Sequence, residues 1–190
     1  MEKTLLHCCC APCSVSCIKL LRGQDIEPVA FWYNPNIHPY QEYKARRDTL
    51  MGYAPQIGME LIVQEEYGLR RFTRAVADDL DHRCGQCYAM RLEGVAQYAA
   101  EHGFDSFSTT LLVSPYQQHE LIAETADRLA REYGVKFLYR DFRPGFREGQ
   151  AEARALGFYM QKYCGCVFSE EERYAAKLAK DQKEPLKHLG

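Results

Sequence analysis

The sequence has no long apolar run and no excess of positive charge. No stretch reaches the roughly 18 apolar residues that a membrane span requires, and Met1-Glu2-Lys3 leads into only a few apolar residues. We therefore expect no signal peptide, no membrane partner and a cytoplasmic protein. Its net charge of −2 gives no general attraction to nucleic acid, so RNA binding would need a local basic surface.

Glycine is also missing where a nucleotide-binding protein would need it. There is none between Met1 and Arg22, which argues against a Rossmann-like ATP hydrolase with a phosphate loop after its first strand. We find no internal repeat, low-complexity segment or linker. With 190 residues, 46% of them hydrophobic, the chain is predicted to form a single domain over 1–190, in which 181–190 is a loose polar tail.

Cysteine, in contrast, is abundant. Nine cysteines in a reducing compartment indicate metal or redox chemistry rather than a structural disulfide framework. Four of them follow the apolar residues Thr4-Leu5-Leu6, where a strand is predicted to end and a helix to begin. In an open α/β sheet this is the edge at which ligands bind.

The spacing of apolar residues predicts an α/β fold. Strand-like runs alternate with segments long enough for helices, and they occupy Thr4–Cys8, Pro28–Tyr33, Glu60–Gln64, Phe104–Leu112 and Val135–Tyr139. This alternation predicts a Rossmann-like three-layer fold with a mostly parallel five-stranded sheet and the cysteine site at the C-terminal strand edge.

Helix signals place the remaining motifs. A stripe that begins at Ile122 and ends before Gly134 predicts a helix, and a second apolar series places Cys84 and Cys87 in the loop and first turn of another. The Asn34–Tyr40 segment, with two prolines, is expected to be a loop. Ser169 begins an S-x-x-E pattern, which predicts a capping box and a last helix that starts right after Cys166.

The residues alone leave three readings of the cysteines open. Cys10-Ala11-Pro12-Cys13 resembles a thioredoxin-type dithiol, and two C-x-x-C pairs could close a zinc site in a binding module. Adjacent thiols suit a [4Fe–4S] cluster better than one small ion, so iron–sulfur is favoured. The Cys164-Gly165-Cys166 pair would form a strained, easily reduced disulfide or ligate metal. Cys8 and Cys17 are interpreted as packing residues.

Five motifs together resemble the QueH family of epoxyqueuosine reductases over nearly the whole chain. In order they are Leu6-His7-Cys8-Cys9-Cys10-Ala11-Pro12-Cys13-Ser14, Asn34-Pro35-Asn36-Ile37-His38-Pro39 with Glu42-Tyr43 and Arg46, Arg83-Cys84 to Cys87-Tyr88, Asp141-Phe142-Arg143, and Tyr163-Cys164-Gly165-Cys166. The resemblance implies two-electron reduction of epoxyqueuosine to queuosine at the wobble position of tRNA. This is the last step of queuosine biosynthesis, here without cobalamin.

The resemblance also implies cofactors. A [4Fe–4S] cluster would be held by Cys9, Cys10, Cys84 and Cys87, beside a redox-active Cys164–Cys166 pair. One additional mononuclear iron is associated with the family, and Cys13 and Asp141 are our candidates for its ligands. An external electron donor of unknown identity would supply the electrons.

The substrate and catalytic residues are expected near these thiols. His38 and Asp141 are predicted to be catalytic, and the predicted substrate contacts are Asn34, Asn36, Tyr43, Arg46 and Arg143. Tyr40, Tyr43 and Phe142 are plausible around an unstacked base. The partner is a tRNA carrying epoxyqueuosine, and no DNA is expected. Candidate phosphate-binding groups are Lys44, Arg46 and Arg47; Arg70, Arg71 and Arg74; and Arg140, Arg143, Arg147 and Arg154, with Arg143 and Arg147 preferred.

Overall fold

A single parallel sheet forms the centre of the protein. The computed structural model describes residues 2–183. Its strands are β1 (Thr4–His7), β2 (Pro28–Trp32), β3 (Leu61–Val63), β4 (Ser106–Thr109) and β5 (Lys136–Phe137). They lie in the order β3-β2-β1-β4-β5, and every pairing is parallel. The predicted Rossmann-like fold and five-stranded sheet are therefore confirmed.

Helices connect the strands and cover the sheet. They are α1 (Ala11–Arg22), α2 (Tyr40–Gln56), α3 (Leu69–Val76), α4 (Arg83–Glu101), α5 (His119–Tyr133), α6 (Phe146–Ala155) and α7 (Val167–Lys183). Short 3₁₀ helices occupy Thr110–Val113 and Arg143–Gly145. Helix α1 packs against α6, and α4 packs against α5. Within residues 2–183, none of the helices is both long enough and apolar enough to span a bilayer.

The two central strands explain why the sheet is stable. Strand β1 pairs with both β2 and β4, and its residues are buried on both faces. Leu5, Leu6, Phe31 and Phe107 are fully buried. Each such side chain contributes about 1.5 to 3 kcal/mol when it leaves water. The rigid centre of the sheet therefore fixes the carboxyl ends of β1 and β4.

Some predicted boundaries needed correction. The run Phe104–Leu112 is not one strand, because β4 ends at Thr109 and the chain turns into a 3₁₀ helix. The hydroxyl of Thr109 accepts the N–H of Leu111, which stabilises this turn. The helix that Gly134 was predicted to end is α5, and Gly134 takes a φ of +67° after its last residue.

The predicted last helix does begin right after Cys166, but the capping box at Ser169 is wrong. Helix α7 begins at Val167, two residues earlier, and the Ser169 hydroxyl donates to the carbonyl of Cys166. Glu172 would have to reach back to the start of the helix, but it pairs with Arg83 of α4 instead. Helix α7 continues to Lys183, and residues 184–190 lie outside the described part of the chain, so the loose tail over 181–190 stays a prediction.

Candidate metal centre

The candidate site lies at the topological switch point of the sheet, between β1 and β4. The chain crosses from β1 to β2 on one side of β1, and β4 lies on its other side. Such a switch point opens a crevice at the carboxyl ends of the strands. Here the crevice is a cavity of about 1030 Å³. Six thiols line it, those of Cys9, Cys13, Cys84, Cys87, Cys164 and Cys166.

Three thiols, which we call the strand-end thiols, gather between β1 and α1: Cys9, Cys10 and Cys13. Their sulfur atoms all lie within 4.8 Å of one another, and the Cys9 and Cys10 sulfurs are 3.8 Å apart. All three are buried. The placement at a strand end was predicted, but the sequence did not show that Cys13 would lie this close to the other two.

The strand-end thiols differ in acidity. Hydrogen bonds from the Cys10 and Cys13 thiols lower the pKa of Cys9, whereas burial raises the pKa of Cys10. Thr110, directly after β4, contacts Cys9 twice. Its hydroxyl accepts the Cys9 N–H at 3.1 Å and lies 3.4 Å from the Cys9 sulfur, so it helps to fix the position of this thiol. The site thus favours one thiolate, and a bound metal would deprotonate the others.

Two further thiols, the helix thiols Cys84 and Cys87, lie at the start of α4. Cys87 is buried and Cys84 is half-buried. Burial raises the pKa of Cys87 to about 12. Arg91 follows one turn later, and its guanidinium lies 3.8 Å from the Cys87 sulfur. Arg91 therefore places a buried positive charge beside the Cys87 thiol of the same helix.

Arg91 is held in place by a buried polar chain. Its guanidinium donates to the Asn34 side-chain oxygen at 2.7 Å, and that oxygen also lies 3.2 Å from His7 Nε2. The Asn34 amide donates to the Cys8 carbonyl, and His7 Nδ1 contacts Thr109. Burial lowers the pKa of His7 to about 3, so this imidazole is neutral. Asn34 is fully buried, and these hydrogen bonds connect it to the backbone of Cys8. Its predicted contact with the substrate stays a prediction.

The loop thiols, Cys164 and Cys166, approach the cavity from the far end of the chain. Both are free; Cys164 is exposed and Cys166 is buried. Arg46 of α2 donates to the carbonyls of Tyr163 and Cys164 at 2.9 and 2.8 Å. The His38 N–H donates to the Gly165 carbonyl at 2.8 Å. Three residues of the loop, Tyr163, Cys164 and Gly165, are thus attached to the α2 side of the site through their carbonyls.

Gly165 is required for this loop conformation. Its φ is +150°, in the region that side chains rarely adopt, and an added Cβ would lie 3.3 Å from Ile37 and 3.4 Å from Arg46. Arg46 itself is 2% exposed and pairs with Glu42, which is 7% exposed. Arg46 lines the cavity, and its donors are directed at Glu42 and at the loop. Its predicted contact with the substrate stays a prediction.

The other predicted residues lie around this centre. His38 is buried between Tyr67 and Phe72, and burial lowers its pKa to about 4. Tyr43 is buried, with its hydroxyl at Trp32 Nε1. Neither residue is among those that line the cavity.

Asn36 does line the cavity. It is fully buried, and neither atom of its amide has a hydrogen-bond partner among residues 2–183. A buried amide without partners costs free energy unless a ligand or water satisfies it. This is the property expected of a substrate contact.

Comparison with known proteins identifies the family. The model of the family described as epoxyqueuosine reductase QueH matches residues 4–172. An epoxyqueuosine reductase QueH of Dehalococcoides mccartyi is 40% identical over 90% of this chain and 94% of its own length. That of Thermotoga maritima is 38% identical over 91% of this chain and 93% of its own.

The chain belongs to the QueH family. It is accordingly an oxidoreductase, and the resemblance read from its five motifs is confirmed.

Solved structures agree on the fold of this QueH-family chain. The U34-tRNA thiolase NcsA from Methanococcus maripaludis, solved with its [4Fe-4S] cluster, aligns over 97% of this chain and 67% of its own with a TM-score of 0.54 at 15% identity. A predicted subunit of a tRNA methyltransferase from Methanocaldococcus jannaschii aligns over 100% and 93%, with a TM-score of 0.55 at 12% identity. At these identities the likeness concerns the fold alone.

The basic groups of the QueH-family chain divide into paired and unpaired ones. Asp141 and Arg143 form a partly exposed ion pair away from the cavity wall, and hydrogen bonds from Arg143 lower the pKa of Asp141 to about 2. Lys44 and Arg47 pair with Asp48, and Arg71 pairs with Glu66. Arg147 and Arg154 line the cavity, as do Lys162 and Arg173.

Several cavity residues of this QueH-family chain were not foreseen. Arg91 lies one turn beyond Cys87 and two beyond Cys84, so the helical spacing of α4 could have indicated it. Thr110 follows β4 at the predicted edge and could have been found in the same way. Gln161, whose amide lies 3.2 Å from the Cys10 sulfur, belongs to no pattern that the sequence displays.

Proposed function

We propose that the chain reduces epoxyqueuosine at the wobble position of tRNA to queuosine. A [4Fe–4S] cluster on Cys9, Cys10, Cys84 and Cys87 would serve this reaction, together with a redox-active Cys164–Cys166 pair. One observation carries the proposal: in a chain of the QueH family, thiols from three distant segments line one cavity at the switch point of the sheet.

The donor set fits an iron–sulfur cluster. Thiolates are the ligands of such clusters, and each iron corner is ligated separately, which suits thiols that come from two elements, the end of β1 and the start of α4. A cluster with four thiolate ligands carries net negative charge. Arg91 is buried beside Cys87, and its Nε has no partner among residues 2–183, so it supplies a fixed compensating charge.

The reaction needs two electrons and two protons. Both C–O bonds of the epoxide carbons to the bridging oxygen break, a carbon–carbon double bond forms, and the oxygen leaves as water. Side chains other than paired thiols do not carry electrons well, so a cluster supplies one-electron steps when it is bound. Oxidation of the two loop thiols to a disulfide would release two electrons and two protons, which balances one turnover. An external donor, still unidentified, then reduces that disulfide.

The substrate would meet polar groups that the protein leaves unsatisfied. Asn36 presents an amide with a free donor and acceptor, and the Gln161 side-chain oxygen is also buried without a partner among the described residues. The volume of about 1030 Å³ is at the upper end of the range for small-molecule sites and accommodates a nucleoside. The base would leave the anticodon stack to enter the cavity.

Protonation and any second metal concern His38, Asp141 and Cys13. With a pKa near 4, His38 is neutral at pH 7, and its Nδ1 is buried without a partner among residues 2–183. Asp141 is ionised, which suits a metal ligand better than an acid, although Arg143 now binds it. A mononuclear iron on Cys13 and Asp141, and the cytoplasmic location, stay predictions.

The test is an anaerobic preparation assayed for metal and activity. We expect a brown protein with iron and sulfide in equal amounts, which converts epoxyqueuosine in tRNA to queuosine with a chemical reductant, as read by mass spectrometry of the nucleosides. A colourless protein that contains zinc would indicate the binding module instead. A brown protein that leaves epoxyqueuosine unchanged would refute the substrate assignment while leaving the cluster intact.

A further inference from the structure

The cavity wall is strongly cationic although the whole chain carries a net charge of −2. Among the described residues that line it, seven are Arg or Lys and one, Glu172, is acidic. Arg46 and Arg83 already pair with Glu42 and Glu172, and Arg91 is buried. Four exposed cations remain, and they form no ion pair with residues 2–183; we call them the rim cations, Arg147, Arg154, Lys162 and Arg173.

Helix α6 separates its charges by face. Arg147 and Arg154 are two turns apart and both line the cavity. Glu148 and Glu152 are one turn apart on another face, where Glu152 pairs with Lys19 of α1. The acidic residues of α6 are thus turned towards α1, and its cations towards the cavity.

Helix α7 continues the cationic surface away from the cavity. Arg173 lines the cavity, and Lys177 and Lys180 follow it at four and seven residues, on the same face. We call these three residues the α7 stripe. With a rise of 1.5 Å per residue, the stripe extends about 10 Å along the helix. Glu170 and Asp181 border it, but none of its members forms an ion pair within the described part of the chain.

The outer half of α7 is uncovered. Every side chain from 175 to 182 is exposed, and Leu178 is 59% exposed. The family model matches residues 4–172, so all three residues of the stripe lie beyond the matched segment. Core packing therefore does not explain why the helix continues past the cavity.

We propose that α7 is an arm that binds phosphates of the tRNA, and that the α7 stripe and the rim cations form one continuous track from the cavity to the flank of the anticodon stem-loop. The proposal rests on the proposed function, because it takes tRNA as the substrate. RNA is the occupant that the charge of this surface favours, since a polyanion gains most from several unpaired cations in a row. Base contacts inside the cavity would give specificity, and the arm would give affinity and orientation.

The test is binding of unmodified tRNA, which requires neither cluster nor epoxyqueuosine. The double variant Lys177→Gln/Lys180→Gln removes two charges and keeps good helix formers. If both residues contact phosphates, affinity should fall about 20-fold at 0.15 M salt, and the slope of log K against log salt should flatten by about 0.7 to 0.9 for each lost contact. Circular dichroism checks that α7 stays helical.

The matched control is Lys3→Gln/Arg131→Gln. Both side chains are likewise exposed and form no ion pair within residues 2–183, but they do not line the cavity; Arg131 lies in the last turn of α5. We expect their replacement to leave tRNA affinity unchanged. An equal loss in both double variants, or a loss in the Lys3/Arg131 variant alone, would overturn the proposal.

Two other outcomes separate the possible failures. If wild-type protein binds no tRNA, the proposed substrate falls together with the arm. If tRNA binds and is modified while the α7 variant binds as tightly as wild type, only the arm is refuted. A change in oligomeric state on Leu178→Ser, combined with unchanged RNA binding in the lysine variant, would make α7 a contact between protein copies and would also refute the arm.

Discussion

The strand-end thiols and the loop thiols have the same chemistry but opposite surroundings. Cys9, Cys10 and Cys13 are buried where a central strand meets α1, so their sulfur atoms are fixed by the most rigid part of the sheet. Cys164 and Cys166 lie on an irregular segment that reaches the cavity from the end of the chain, and one of them is exposed. Fixed thiols suit the holding of metal, whereas a thiol that solvent can reach suits exchange with an outside donor.

The largest expected effect concerns the proposed cluster ligands. Cys9→Ala, Cys10→Ala, Cys84→Ala and Cys87→Ala should each lose the cluster, because each removes one of four ligands. Iron content and visible absorption measure this.

Cys8→Ala and Cys17→Ala are the matched controls, since both thiols are buried and donate only to backbone carbonyls. They should keep the iron. Cys13→Ala sharpens the assignment, because the structure places Cys13 as close to Cys9 as a ligand would be. If Cys13→Ala loses the cluster and Cys10→Ala keeps it, then Cys13 is the cluster ligand and Cys10 is not.

The second largest expected effect is a loss of turnover at unchanged iron content, in variants of the loop thiols. Cys164→Ser and Cys166→Ser should each keep the iron and lose most of the reduction of epoxyqueuosine, because a single thiol cannot form the disulfide. Iron content and turnover are measured on the same preparation. A variant that purifies without iron would show that the loop thiols ligate metal, and the contrast between the two regions would disappear.

A third prediction tests how the loop is held. Arg46→Met should lower the free energy of unfolding by about 3 to 5 kcal/mol, because it leaves Glu42 buried without its partner and releases two carbonyls. The neighbouring Arg47→Met breaks pairs with more exposed carboxylates and should cost about 1 kcal/mol or less. Urea unfolding of both variants measures this difference. An equal loss in the free energy of unfolding would contradict the proposed role of Arg46 in holding the loop.

The smallest effect is a pH dependence near the loop. Burial lowers the pKa of His38 to about 4, against 6.5 in an unfolded chain. Between these values the unfolded chain binds a proton that the folded chain does not, so stability falls as the pH falls from 6.5 to 4. His38→Gln should therefore flatten the stability curve in this window. Thermal unfolding at a series of pH values measures it, and an unchanged curve would mean that His38 is protonated in place.

Local patterns were sufficient for the sheet and for the position of the site. The apolar runs located all five strands, and parallel strands must end at one edge, so the thiols after β1 were correctly placed at the opening of a crevice. The motifs also identified the family. Boundaries were less accurate, because the turn after Thr109 depends on a side-chain hydrogen bond that apolar spacing does not reveal.

The remaining features depend on contacts between distant segments. Ser169 and Glu172 have the spacing of a capping box, but Arg83 binds Glu172 and the loop held by Arg46 sets where α7 begins. The same kind of contact determines that Asn34 supports Arg91. Arg143 is neutralised by a near neighbour, Asp141, and the charge pattern alone did not separate this pair from a free basic group. The organisation as a single domain over 1–190 stays a prediction.

Arg46 holds the loop that carries Cys164 through two carbonyls and the ring of Tyr163, and none of these contacts involves the Cys164 sulfur. Arg46 binds the carbonyls of residues 163 and 164, which any amino acid would present, and the Cys164 side chain takes no part in that attachment. The shape of the loop and the reactivity at this position can therefore be altered independently. A selenocysteine should therefore occupy the place of the native sulfur while the loop keeps its shape, which makes position 164 a site at which the chemistry of electron entry can be varied by itself.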